Sequence, residues 1–142
     1  MTADCQVDFY LLGDGARDAE HLACRLALMA WERGFQVSIL AQDTAQAEQL
    51  DELLWHYPEG RFLPHERSTD TQQSLAPVTL LEQVPAQAQV LINLTREAMP
   101  LPLPYQRLLE IVPHKDAERA ASRDKFRHYR AHGYAPKAHD IS

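Results

Sequence analysis

The chain is poor in the features that announce catalysis, secretion or a membrane. It has two cysteines in 142 residues, Cys5 and Cys24, and they form no CxxC pair. With Cys24 in a helical stretch, they read as free, partly buried thiols of a reducing compartment. No apolar run approaches the ~18–20 residues of a membrane span and no charged-then-apolar leader opens the chain, so a cytoplasmic protein off the membrane is expected. There is no G-x-x-x-x-G-K-[ST] segment to cradle phosphates and no Ser or Cys in a nucleophile elbow. Of seven histidines, His128 and His132 have the best ligand spacing, but no carboxylate stands between them as in a zincin and no cysteine lies nearby. No catalytic residue, cofactor or metal is therefore expected. Internal repeats and low-complexity segments are also missing. The length and a hydrophobic fraction of 45% suit a single domain over residues 1–142 with a real core.

Net negative charge is present, and it is unevenly spread. Residues 1–114 hold 16 acidic and 7 basic side chains, about −9, while residues 115–142 hold 4 acidic and 7 basic, about +3. A body of that sign argues against strong direct nucleic-acid binding, and the basic tail asks for a local partner.

The order of elements is legible from pattern. Val7 to Leu12 is a strand running into the Gly13-Asp14-Gly15 turn. Leu22, Leu26, Met29 and Ala30 mark a helix over 17–33 that Gly34 ends. Phe35 to Ala41 is a second strand, and Asp43 or Thr44 caps a helix through Leu50, Leu53, Leu54 and Trp55 that stops before Pro58. Phe62 to His65 is at best a short extended piece, Glu66 to Pro77 a mobile polar loop, and Val78 to Leu81 a brief strand. The nearly continuous apolar run Val90 to Leu94 reads as a buried parallel strand. Pro100, Pro102 and Pro104 exclude a helix over Met99 to Tyr105. Leu108 to Val112 is a further strand, and the last helix runs from Asp116 to Gly133. Alternating strands and helices predict a three-layer α/β/α sandwich with a mostly parallel central sheet.

Gly13-x-Gly15 after the first strand begins a dinucleotide fingerprint, with Asp43 at the ribose-binding distance. The fingerprint fails at its third glycine, where Asp18 would repel a pyrophosphate and serves better as a helix cap. The expected fold is thus Rossmann-like without a working nucleotide site.

Two features remain for function. Arg119, Arg123, Arg127 and Arg130 recur at spacings of four, four and three, which puts them on one helix face with Phe126 set between them. Glu118, Ser122 and Asp124 lie to the sides, so the stripe reads as un-neutralised within the helix and suited to carboxylates or phosphates. Trp55, Tyr57, Phe62 and Pro64 form an aromatic cluster, and Trp55 reads either as core or as an exposed docking anchor.

Several stretches carry a family likeness: Asp8 to Leu12, Leu50 to Trp55, Phe62 to His65, Val90 to Leu94, Ile111-Val-Pro-His-Lys-Asp116, Arg123 to Arg130, and Gly133-Tyr134. In order, spacing and total length the chain resembles the chi subunits of bacterial DNA polymerase III, nearly end to end. The resemblance implies a non-catalytic clamp-loader accessory subunit acting in DNA replication. It implies two surfaces. One binds the acidic, phenylalanine-terminated tail of the single-stranded-DNA-binding protein (SSB) through Val112, Arg119, Arg123, Phe126 and Arg127, with Arg130 adding positive charge nearby. The other holds the psi subunit through Trp55, Phe62 and Pro64, and competition by a further partner such as a helicase stays open there. Phe126 departs from the tyrosine often found at its position in that family. Two rival readings stand beside this one: a single-strand nucleic-acid binder in which Phe126 and Tyr129 stack on bases, and an enzyme using the nucleotide-like crevice.

Overall fold

The computed structural model describes residues 5–16, 18–56, 63–68 and 76–141. Seven strands form one sheet: β1 (Gln6–Leu12), β2 (Val37–Leu40), β3 (His65–Arg67), β4 (Val78–Leu81), β5 (Ala88–Asn93), β6 (Tyr105–Val112) and β7 (Lys137–Ile141). Three helices accompany them: α1 (Ala19–Glu32), α2 (Thr44–His56) and α3 (Asp116–Ala131). The sheet order is β3-β4-β2-β5-β6-β1-β7 and every neighbouring pair is parallel. The expected Rossmann-like sandwich is observed, with a sheet that is wholly parallel among the described strands.

Strand alternation divides the core into two layers. Val37, Ile39, Val90, Ile92, Leu109 and Ile111 meet α1 and α2 on one face. On the other, Phe9, Leu91, Leu108 and Val112 meet the side of α3 that carries Tyr129. A sheet covered on both faces is why the β5 and β6 sequences are nearly continuous apolar runs.

Caps set the helix ends. The Asp18 side chain accepts the His21 amide at 3.0 Å, and Asp43 accepts the Gln46 amide at 2.8 Å, satisfying first-turn donors that would otherwise be orphaned. Gln46 reaches back to the Gln42 amide at 2.7 Å. At the other ends, Gly34 (φ +92) and Gly133 (φ +93) hold the left-handed conformation of a Schellman turn. Phe35 N–H donates to the Ala30 carbonyl and Tyr134 N–H to the Tyr129 carbonyl, each at 3.1 Å.

Two expectations are corrected, and one strand joins the expected order. Glu66 and Arg67 belong to β3, paired with Thr79 and Leu80, and are not loop; residues 69–75 of that stretch lie outside the described residues. Strand β6 starts at Tyr105, three residues before Leu108, because a strand accepts Pro104 immediately before its first residue. Strand β7 was not anticipated at all: K-A-H-D-I is polar and largely exposed, so it shows no apolar alternation. Its pairing with β1 from Asp8↔Lys137 to Leu12↔Ile141 is a tertiary event.

The polypeptide crosses two strands between β1 and β2, and the carboxyl ends of β1, β5 and β6 open there into a crevice of about 640 Å³. This is where an α/β fold of this kind takes a nucleotide. Here Asp14, Asp18, Glu20 and Glu118 line it, and the Asp18 carboxylate already occupies the first turn of α1. Among the described residues no group of three or more His, Cys, Asp or Glu is arranged to hold a metal. No helix there is long and apolar enough to cross a membrane. Cys5 and Cys24 are free and buried.

Candidate docking face on the last helix

Helix α3 is unusual in what it turns inward. Its buried residues are Ser122, Lys125 and Tyr129, at spacings of three and four, and none is aliphatic. Lys125 meets Glu110 of β6, a carboxylate with 0% exposure. Glu110 Oε1 accepts from Lys125 Nζ at 2.9 Å and from Asn93 Nδ2 at 3.0 Å. Its Oε2 accepts from Tyr129 Oη at 2.7 Å and again from Asn93 Nδ2 at 3.1 Å. Lys125 also donates to the Thr95 carbonyl at 2.6 Å, and Tyr129 Oη accepts the Met99 amide at 2.8 Å. The buried charges are thus paired and hydrogen-bonded, the condition under which burial is tolerated. Burial beside Glu110 holds the Tyr129 phenol far above its ordinary range.

The arginines divide into two groups. Arg119 is half-buried; it donates to the Leu12 carbonyl at 3.0 Å and lies 3.1 Å from His114 Nδ1, tying the start of α3 to the end of β1. Arg123, Arg127 and Arg130 are exposed. Arg127 stands 3.5 Å from Asp124, which corrects the expectation that the stripe has no partner within the helix, although a pair this exposed is worth little. Arg123 and Arg130 make no ion pair among the described residues. Arg96 clasps Glu118 at 2.6 Å and holds that carboxyl below its usual range.

Phe126 sits at the border between the buried side and the arginines. It is half-buried and its ring meets Phe9 at 5.3 Å between centroids. Val112 is 3% exposed and lines the crevice at the end of β6. Arg119, Arg123 and Phe126 share one side of the helix by their spacing, and Val112 belongs to the buried cluster against which Phe126 packs. Tyr129 has 0% exposure, which removes the base-stacking role that a nucleic-acid reading requires of it. His128 and His132 are exposed, with His132 Nδ1 at 2.8 Å from the His128 carbonyl.

The second patch lies at the far end of α2. Trp55 is 54% exposed, so it is no part of the core, whereas Leu50 and Leu54 are fully buried. Its ring meets that of His65 edge-on at 5.0 Å, and His65 Nε2 lies 3.1 Å from Asp51 Oδ1. Pro64 is half-buried next to it in sequence. Phe62 and Tyr57 lie outside the described residues.

The family profile for "DNA polymerase III chi subunit, HolC" matches residues 5–137, a span that takes in both patches and all three helices. This chain belongs to the chi subunit family of DNA polymerase III. Among curated relatives, the DNA polymerase III subunit chi of Pseudomonas aeruginosa is 37% identical over 137 residues, covering 96% of each chain. That of Escherichia coli K12 is 29% identical, covering 89% of this chain and 91% of its own. That of Haemophilus influenzae is 28% identical, covering 89% and 90%.

Within this chi-family chain, the sequence reading missed the Glu110 cluster. A signal for it existed. Glu110 interrupts the apolar run Leu108-Leu-Glu-Ile-Val112, and a carboxylate in a doubly covered strand requires a cation or donors opposite it. Lys125 was hidden among arginines of the same sign, and only packing separates the inward cation from the outward ones.

Proposed function

We propose that this chain is a non-catalytic adaptor of the replicase. Its α3 face takes the acidic, phenylalanine-ended tail of the single-stranded-DNA-binding protein, and its Trp55 surface takes the psi subunit. The observation that carries the first half is the pairing of exposed, outward arginines with a half-buried aromatic on an otherwise acidic protein. A terminal phenylalanine needs an apolar slot, which the Phe126 ring and the stems of the arginines supply, with Val112 in the floor. Its α-carboxylate needs a forked donor, and Arg123 has no competing ion pair among the described residues. Upstream aspartates need only nearby charge, which Arg127 and Arg130 offer. Arg119 takes part from one side, since its guanidinium also binds the Leu12 carbonyl.

The exposed Trp55 supports the second half, because a large aromatic at 54% exposure contributes nothing to the core and is the side chain most often found at the centre of a protein interface. Linking a polymerase assembly to coated template requires two separate surfaces, and α2 and α3 lie on opposite faces of the sheet.

Titration calorimetry with an acidic, Phe-ending peptide tests the tail site. The wild type is expected to bind at roughly micromolar Kd, weakening as salt rises. Arg123→Ala should lose about tenfold or more, since a charge-assisted hydrogen bond contributes about 1.5–3 kcal/mol. Equal binding by wild type and Arg123→Ala sinks the site assignment.

A further inference from the structure

We propose that the buried Glu110–Lys125–Tyr129 cluster is a positioning device that sets the rotation and register of α3, and with them the placing of its arginine face. The proposal rests on reading that face as the tail site.

Helix α3 has no aliphatic side chain among its buried residues. Apolar contact is non-directional and lets a helix roll or slide at modest cost, and the three fully inward residues of α3 are Ser122, Lys125 and Tyr129. Hydrogen bonds are directional, and those of Lys125 and Tyr129 reach two separate places, Glu110 on β6 and the Thr95 carbonyl and Met99 amide on the segment that follows β5. Asn93 of β5 donates to the same Glu110 carboxylate. Asn93 also donates to the Glu97 carbonyl at 3.0 Å, so strand, segment and helix share one network.

The same network penalises the wrong arrangements. Each helical residue turns about 100°, so a slip of one position brings Asp124 or Phe126 opposite Glu110. The first sets two carboxylates together and the second leaves a buried carboxylate without its cation. With Lys125 and Tyr129 inward, Phe126 falls at the border and Arg123, Arg127 and Arg130 fall outside, as observed. Lys125 thereby acts on the tail site without touching the tail.

The test is a double variant, Glu110→Leu with Lys125→Met, which removes one charge of each sign and so leaves the long-range field on the peptide unchanged. Replacing a buried pair by apolar residues of similar volume commonly preserves folding. Cooperative unfolding and a binding stoichiometry near one are expected, with Kd for the acidic peptide raised about tenfold. Hydrogen exchange at the amides of residues 119–130 should accelerate relative to β5 and β6. A loss of folded protein lowers the stoichiometry and leaves Kd alone, so calorimetry separates displacement from instability. If the double variant does not fold, Tyr129→Phe, which deletes one hydroxyl, should still loosen α3 selectively. A folded double variant that binds within about twofold of wild type, or an α3 whose protection falls no more than that of the sheet, overturns the proposal. Wild-type protein that binds no peptide removes the tail reading, and the exchange comparison then still decides the positioning claim.

Discussion

The ring of Phe126 rests on that of Phe9, 5.3 Å between centroids and tilted by 52°. This contact joins the first strand to the face that carries the exposed arginines. It gives Phe126 two tasks, since the ring packs on a buried neighbour while its outer edge belongs to the surface. Phe9 itself is 1% exposed and also meets Tyr129 at 6.1 Å.

Phe126→Ala should therefore weaken both stability and peptide binding. A half-buried ring with one aromatic neighbour contributes about 1–3 kcal/mol to folding, read as a shift of the urea midpoint. Phe126→Tyr should keep the packing and leave the midpoint within about 0.5 kcal/mol. A Phe126→Ala protein as stable as wild type would show that the Phe9 contact does not hold in solution.

Asp124 should oppose tail binding. It lies 3.5 Å from Arg127, with both side chains at least 75% exposed, so breaking the pair costs little stability. Asp124→Asn removes a negative charge beside the arginines and should tighten the acidic peptide by about twofold to fivefold at low salt, with the gain shrinking as salt is added. Unchanged or weaker binding would place the peptide elsewhere.

Trp55→Ala should leave the thermal midpoint within a few degrees of wild type, because an exposed side chain outside the core costs about 0.5 kcal/mol or less. Co-elution with psi should be lost. A large drop in stability would mean that the His65 contact at 5.0 Å is a structural support.

Alkaline titration should reveal the buried groups. Burial pushes Tyr105 up to about 12 and Cys24 up to about 12, and Tyr129 further still. Acids whose folded pKa is raised stabilise the fold fully below their unfolded values, near 10 for tyrosine and 9 for cysteine, and that stability is lost as pH climbs above them. Ultraviolet titration should show Tyr105 and Tyr129 ionising only with unfolding, and a thiol reagent at pH 8 should label Cys24 at the rate of global opening. Rapid labelling of native protein would contradict the burial.

Much of the fold was readable because its signals are local. Asp18 and Asp43 announce helix starts, Gly34 and Gly133 announce ends, and the apolar runs of β5 and β6 announce strands covered on both faces. Strand β7 was not readable, since K-A-H-D-I has no apolar pattern and is a strand only because β1 offers it an edge.

The candidate site divides along the same line. By itself the sequence determined that a helix with arginines at 119, 123, 127 and 130 exists and that the family is that of the chi subunits, because helical period and whole-chain similarity need no tertiary contact. Only the tertiary structure decided which cations face out. Lys125 turns inward to meet Glu110, Arg119 donates to the Leu12 carbonyl, Arg127 stands beside Asp124, and Arg123 and Arg130 are exposed without an ion pair among the described residues. The reason is that a buried carboxylate on β6 must find its cation on whichever helix packs above it, and that demand becomes visible only once β6 and α3 are brought together.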